Sequence, residues 1–316
     1  MSKIDWLSQF IQMITVAGQL EVRCAYGAPW RIAWPQAAAH EIPYHIVLQG
    51  RAILKNSKTE TIRELASGDI VLLPHGSEHV LHDGSGQAPA HTHNRRGSGG
   101  WMVSENDGGG EHLDLLCGRF FIGSPHDRLI RNYLPTDLVI RTADRRTDEG
   151  AGSDHLASLM GLMRMESASD QLGSNAILNA LSSALFTLVL RAASESEDAP
   201  AGLLALAGHP RLAPAISAMF ADPSRAWTLP DLAGLCSMSR ATFMRHFQDK
   251  LGCSAIELLT DIRMSLAANE LRKPTATTAA VAESAGYQSE AAFRRAFADW
   301  MGMTPGQWRS SARDSQ

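Results

Sequence analysis

The chain has 316 residues, 44% of them hydrophobic and 20% charged, which is the balance of a water-soluble globular protein with room for two domains. Its formal charge of −4 gives no sign of nucleic acid, and no uninterrupted apolar run reaches the roughly 18 residues of a membrane span. The four cysteines, Cys24, Cys117, Cys236 and Cys253, are scattered without a C-x-x-C pair, which argues against a disulfide scaffold and suits a reducing cytoplasm.

In chain order, the first 22 residues carry Asp5 and lack an uninterrupted apolar core, so they read as an amphipathic element and not as a signal peptide. Residues 20 to about 145 are short apolar runs ended by Gly and Pro, such as "HIVLQGRAIL" and "GDIVLLP", and read as β-strands. Within them, 82–100 reads as a long mobile loop. Residues 153–193 switch to helix, with Ile177, Leu178, Leu181, Leu185, Leu188 and Val189 on one broad face. That face suits either a second chain or this chain's own barrel. Residues 194–202 read as a linker, and from about 210 the pattern is helical with short turns. Charge is weakly sorted: 12 Lys and Arg stand against 10 Asp and Glu from Arg211 onward, and 17 against 23 before it.

The C-terminal part contains a repeat with an offset of 50 residues. Ser239, Ala241, Phe243, Arg245, Phe247, Gly252 and Ser254 are matched by Ser289, Ala291, Phe293, Arg295, Phe297, Gly302 and Thr304. Each copy has a short helix, a turn, a capping serine (Ser239 or Ser289) and a longer helix, which is helix-turn-helix grammar. At 100° per residue the Phe pairs face inward, while Ala241, Thr242 and Arg245, or Ala291, Ala292 and Arg295, face outward with Arg294 on a flank. Small residues let a helix approach base edges, and arginine can bond guanine or phosphate. Residues 254–271 fit one continuous spacer helix, so the two reading helices are expected in successive major grooves about 34 Å apart.

"SRATFMRHFQDKLGCS", "RMSLAANELR" and "GYQSEAAFRRAFADWMGMTPGQWR" closely resemble the DNA-binding domain of the AraC/XylS transcription regulators, over about residues 212–309. The resemblance makes 240–250 and 290–300 the recognition helices. It places DNA contacts on Ser239, Arg240, Ala241, Thr242, Met244 and Arg245, and on Ser289, Glu290, Ala291, Arg294 and Arg295. The first turn departs from the family, with Ser237-Met238-Ser239 where Gly-Met-Ser or Gly-Leu-Ser is usual, and Ser takes a glycine conformation only with strain.

In the N-terminal half, "GDIVLLPHGSEH" has the spacing G-x5-P-x-G-x2-H and resembles the second cupin motif, whose last His, here His79, is a metal ligand in metal-binding cupins. The first cupin motif lacks its ligands: Gln36, Ala38 and Pro43 stand where His, His and Glu would be. Two residues after Pro43, His45 shares its side of the strand. Cys24, "PYHIVLQGRAIL", His79 and the Cys117-Gly118 pair together resemble the cupin sensor domain of one AraC subgroup.

Four readings of that half stay open, one of them a pocket for an organic ligand. Cys24, His45, His79 and Cys117 hold zinc or another transition metal; or Cys24 and Cys117 are a redox pair; or all four are ordinary core residues. His75, His82, His91, His93 and His112 are further candidate ligands, although "HTH" at 91–93 lies in a Gly-rich loop and reads as solvated more readily than as metal-binding. The expected architecture is α+β: a cupin-like barrel over 1–150, helices for dimerisation or linkage over 151–200, and an all-α double helix-turn-helix domain over 208–316. The expected function is a cytoplasmic, dimeric regulator of promoter or operator DNA that contacts RNA polymerase, answers a small ligand, metal or oxidant, and is not an enzyme. The alternative is a metal-dependent cupin enzyme with a DNA-binding tail.

Overall fold

The computed structural model describes residues 5–97, 100–142, 151–169, 171–196 and 199–314. It divides into two compact units that are not contiguous in sequence.

The β-rich unit contains Val16–Ile122 and Pro135–Asp198. Its strands are β1 (Val16–Gly27), β2 (Arg31–Trp34), β3 (Glu41–Gln49), β4 (Arg51–Asn56), β5 (Ile62–Ala66), β6 (Asp69–Leu72), β7 (His79–His82), β8 (Thr92–Arg96), β9 (Met102–Asn106), β10 (His112–Ile122) and β11 (Leu138–Arg141). They form a seven-stranded sheet, β11-β6-β3-β10-β1-β9-β8, and a four-stranded sheet, β2-β7-β4-β5. The expected loop at 82–100 contains β8, which pairs with β9. All five β8 residues are exposed, so the strand has no apolar alternation to announce it.

The central strands have two dry faces. Residues 42–48 of β3 are all buried, where alternation would leave half of them wet. One side of the sheet, with Val47, Leu115, Cys117 and Cys24, turns to the barrel interior. The other side receives α4 (Ser174–Ser194): Phe120 meets Phe186 at 5.0 Å between ring centroids, and the Tyr44 hydroxyl lies 2.7 Å from the Ser182 hydroxyl. Part of the broad apolar face read from the sequence packs on the chain's own sheet, with Leu178, Leu185 and Val189 fully buried, Leu181 and Leu188 half-buried and Ile177 exposed. α4 is also long and apolar enough to cross a bilayer by length and composition, which correlates here with burial against β-strands. The preceding helix, α3 (Ala151–Ser167), packs along α4. Arg23 of β1, paired with Asp114 at 2.8 Å, also reaches Ser167.

The second unit contains α1 (Trp6–Ile14), α2 (Asp127–Tyr133), α5 (Leu203–Gly208), α6 (Ala213–Ala221), α7 (Leu229–Leu235), α8 (Arg240–Leu251), α9 (Ala255–Leu271), α10 (Thr278–Ser284), α11 (Glu290–Met301) and α12 (Pro305–Asp314). This differs from the boundaries expected from sequence. Residues up to Thr15 and Gly123–Leu134, assigned to the barrel, group with the C-terminal helices, and that unit resumes at Ala199, inside the expected linker. The boundary expected at 150 lies outside the described residues. The cause is packing: α1 buries Leu7, Phe10, Met13 and Ile14, and Phe10 meets Phe220 of α6 edge-on at 6.1 Å. An amphipathic helix shows that it needs an apolar partner, but not which one.

Helix α4 approaches β1 so closely at Gly18 that a Cβ there would lie 2.6 Å from the Ser182 backbone. Gly18→Ala should destabilise the β-rich unit by about 1–3 kcal/mol, as overpacking does. Thermal denaturation checks this, and an unchanged midpoint would mean that α4 is not packed this tightly.

Candidate functional site

Two regions concentrate chemistry. The first is the pair of helices α8 and α11. The Ser239 hydroxyl accepts from the Thr242 N–H and the Ser289 hydroxyl from the Ala292 N–H, each at 3.2 Å, so both expected N-caps are in place. Phe243, Phe247, Phe293 and Phe297 are fully buried. Gly252 and Gly302 close the two helices with φ of 77° and 75°. Arg240, Ala241, Met244 and Arg245 of α8, and Ala291, Arg294 and Arg295 of α11, are exposed, while Thr242 and Glu290 are partly so.

The copies differ in two ways. The short helices α7 and α10 lie 49 residues apart, so the first turn is one residue shorter. Ser237 there adopts φ of 51°, the strained glycine-like conformation its sequence suggested; Gly286 does the same at 78° without strain. On the outer faces, α11 carries an ion pair between Glu290 and Arg294, whereas the matching positions of α8 are Arg240 and Met244.

The second region is inside the barrel. Cys117 on β10 is paired in register with His45 on β3, and His79 starts β7 in the other sheet. Burial drives Cys117 and both histidines into their neutral forms: the thiol is held well above its ordinary value by desolvation and then by the neighbouring Cys24 thiol, His45 well below by desolvation and then by His79, and His79 below by desolvation. The rings and thiol form a chain. His79 Nδ1 is 2.7 Å from the Ser77 carbonyl, His79 Nε2 is 2.8 Å from His45 Nε2, and His45 Nδ1 is 3.1 Å from Cys117 Sγ.

Only one proton pattern satisfies this chain with neutral rings. A carbonyl only accepts, so His79 donates from Nδ1 and its Nε2 accepts from His45. His45 Nδ1 is then left bare, and it accepts the Cys117 S–H. Cys24, on β1, faces Leu115 in register, one diagonal step from Cys117 on the same face. Both thiols are free.

All four residues expected to form the sensor site therefore come together, but along a line. His45 presents one ring nitrogen to Cys117 and the other to His79, so the donors do not surround a common point. Among the described residues no group of three or more His, Cys, Asp or Glu is placed to hold a metal ion. The buried polar atoms near His79 that lack a partner include Trp34 Nε1 and Asn56 Nδ2, N–H donors that do not ligate a cation, and the Ser77 hydroxyl oxygen, which can. In this arrangement the residues do not fit a tetrahedral zinc site.

Sequence reading missed Trp34 and Ser77. The Trp34 ring stacks on His79 with planes 7° apart, and Ser77 fixes the His79 tautomer through its backbone. Neither has a motif, because the pairing of β2 with β7 that brings Trp34 opposite His79 is a long-range event. His93 of the expected solvated "HTH" is exposed beside Asp107 at 3.0 Å.

Residues 5–195 match the family described as Cupin, and residues 232–311 match a helix-turn-helix domain. The chain is 28% identical over 309 residues to an uncharacterised HTH-type transcriptional regulator of Haemophilus influenzae, covering 98% of this chain and 99% of that one. It is 28% identical over 310 residues to the RCS-specific HTH-type transcriptional activator RclR of Escherichia coli K12, with the same two coverages. The HTH-type transcriptional regulator MtrA of Neisseria gonorrhoeae is 29% identical over 309 residues, covering 97% of this chain and 98% of its own length.

The neutral histidines carry a pH signature. Unfolded, His45 and His79 take a proton near the ordinary value of 6.5; folded, they resist it until lower pH. Between those limits the unfolded chain binds more protons, so their contribution is complete above pH 6.5 and is lost as the pH falls below it. His45→Gln should flatten this acid limb of the stability curve, checked by thermal denaturation from pH 8 to pH 4. An unchanged acid limb would mean that His45 binds its proton alike in the folded and unfolded chain.

Proposed function

We propose that this chain, a member of the AraC-type DNA-binding transcription regulators that carry an N-terminal cupin domain, reports the oxidation state of the buried thiol Cys117 to its DNA-reading helices. The observation that carries this reading is the hydrogen-bonded line Cys117–His45–His79. It joins a nucleophile to a base and the base to an orienting group, the arrangement that activates thiols elsewhere.

The chemistry follows from the proton pattern. At rest the thiol is protonated and desolvated, so it is guarded. The barrel interior is walled by apolar side chains, which favours entry by a small neutral oxidant such as a peroxide. As Cys117 sulfur attacks the peroxide oxygen, the O–O bond breaks, His45 Nδ1 takes the thiol proton and delivers it to the departing oxygen, and water leaves. Cys117 is then a sulfenic acid. Attack by Cys24 sulfur expels a second water and leaves a disulfide. Two thiols and one peroxide become one disulfide and two waters.

At the other end, the N-terminal turns of α8 and α11 enter the major groove. Helix ends offer N–H groups to phosphate, while Arg245 and Arg295 reach guanine edges. The two faces are unlike. Met244, which is 44% exposed, suits a thymine methyl group, whereas the Glu290–Arg294 pair suits a polar base edge. The site read by one chain is therefore two different segments about one helical turn apart.

Two measurements check this reading. Peroxide or hypochlorite should change the affinity of the full chain for its selected duplex; Cys117→Ser should abolish that response, and Cys24→Ser should prevent the disulfide. One equivalent of firmly held zinc in the purified protein would replace this reading with a metal centre. For the DNA end, Arg295→Ala should weaken site-specific binding by about 1–3 kcal/mol. A loss of the same size on unrelated duplex would make Arg295 a phosphate contact.

A further inference from the structure

The β1–β10 ladder begins with Val16 opposite Ile122. The two strands that carry Cys24 and Cys117 therefore leave the ladder side by side, one toward α1 and the other toward α2. Just beyond it, the Gly123 N–H donates to the Ile14 and Thr15 carbonyls at 3.3 and 3.2 Å.

Both struts are bolted to α9. The Asn269 carboxamide donates from Nδ2 to the Met13 carbonyl in α1 at 2.8 Å, and its Oδ1 accepts from His126 Nε2, at the start of α2, also at 2.8 Å. His126 is buried and its Nδ1 has no partner, which fixes the proton on Nε2. Two turns earlier on α9, the buried Asp261 accepts from the Tyr133 hydroxyl, at the end of α2, at 2.5 Å. Its second oxygen accepts from Trp300 Nε1 of α11 at 2.6 Å. Arg128 of α2 adds a bond to the Trp300 carbonyl at 2.7 Å and lies over the Trp300 ring.

We propose that Asn269 and Asp261 are positioning residues for DNA reading: Asn269 clasps the ends of the two thiol-bearing strands, and Asp261 passes the position of α2 to recognition helix α11 through Trp300. This rests on the thiol reading of the barrel. Diagonal neighbours in an antiparallel pair sit about 7–8 Å apart at Cα, whereas a disulfide needs about 4.4–6.8 Å. At that ordinary diagonal spacing, closing Cys24 onto Cys117 draws β1 along β10. One carboxamide bonds both Met13 and His126 only at one separation. Shear of the ladder opens the clasp, α2 shifts along α9, and the carboxylate shared by Tyr133 and Trp300 carries the shift to α11. The device needs no contact between Asn269 and DNA.

The test uses the full chain, hydrogen peroxide as the probe, and a duplex selected from a random pool. Asn269→Ala removes both bonds, Asn269→Asp keeps the acceptor for His126 and loses the donor to Met13, and Tyr133→Phe cuts the Asp261 link. Peroxide should change wild-type affinity by about fivefold or more, the low end of allosteric coupling. It should change the affinity of each variant by less than about twofold, the scatter of independent effects. Intact-mass thiol counts must show equal oxidation of Cys24 and Cys117 in all four proteins. Hydrogen exchange on the reduced proteins supplies the second readout. Asn269→Ala should speed exchange in α11, to which its side chain makes no hydrogen bond, as well as in α1 and α2.

Variants that respond to peroxide like the wild type overturn the clasp while the thiol reading stands. A wild-type affinity indifferent to peroxide overturns the thiol reading, and hydrogen exchange alone then decides the clasp. Exchange changes confined to α1 and α2 make Asn269 a local structural residue and end the proposal.

Discussion

The antiparallel pairing of β1 with β10 is the constraint on which the rest of the structure depends. It runs from Val16 opposite Ile122 to Gly27 opposite His112, with one bulge between Leu20 and Val22. Because side chains alternate, this ladder has two working faces. Inward, it sets Cys24 beside Cys117 and delivers Cys117 to His45 on the next strand. Outward, Phe120 receives Phe186 of α4, while Gly18 leaves room for the helix backbone. The bulge lets both faces work: it moves Glu21 out of step, so that β1 can present Gly18 to the helix and Cys24 to the interior.

Inside the barrel, desolvation is the dominant force. It raises the thiol and lowers the imidazoles, so every member of the line is neutral and each hydrogen bond has a defined direction. The backbone carbonyl of Ser77 sets the direction for the whole line. The line also crosses from the seven-stranded sheet to the four-stranded one through His45 and His79. A change at Cys117 therefore alters a bond between the two walls of the barrel, and the low dielectric there makes each such bond stronger than in water.

The helical unit shows how duplication and divergence coexist. Buried Phe pairs, capping serines and αL glycines recur because they satisfy the same packing and backbone demands in each copy. The exposed faces, free of those demands, have separated in charge and chemistry. The first turn keeps its shape with Ser237 at φ of 51°, where the second uses Gly286, whose Cβ would lie 2.4 Å from the Ser224 carbonyl oxygen. Only the second site is barred to a side chain by its neighbours as well as by its dihedral.

The sequence by itself determined what is local or periodic. The repeated Phe pairs, the capping serines, the glycine turns and the spacing around His79 were all legible, because helix period, capping and turn chemistry act over a few residues. They sufficed for a strand-rich half and for the double helix-turn-helix unit, whereas the barrel and the grouping of Cys24, His45, His79 and Cys117 followed from resemblance to cupin sensor domains. Tertiary structure alone decided how those four meet, since register between β1, β3, β7 and β10 spans some 90 residues of chain and leaves no local mark. It likewise decided that β8 forms in an entirely exposed stretch, that α4 packs against the chain's own sheet, and that α1 and α2 belong with the C-terminal helices. In each case a segment states its own hydrophobic demand, and only the folded chain selects the surface that meets it.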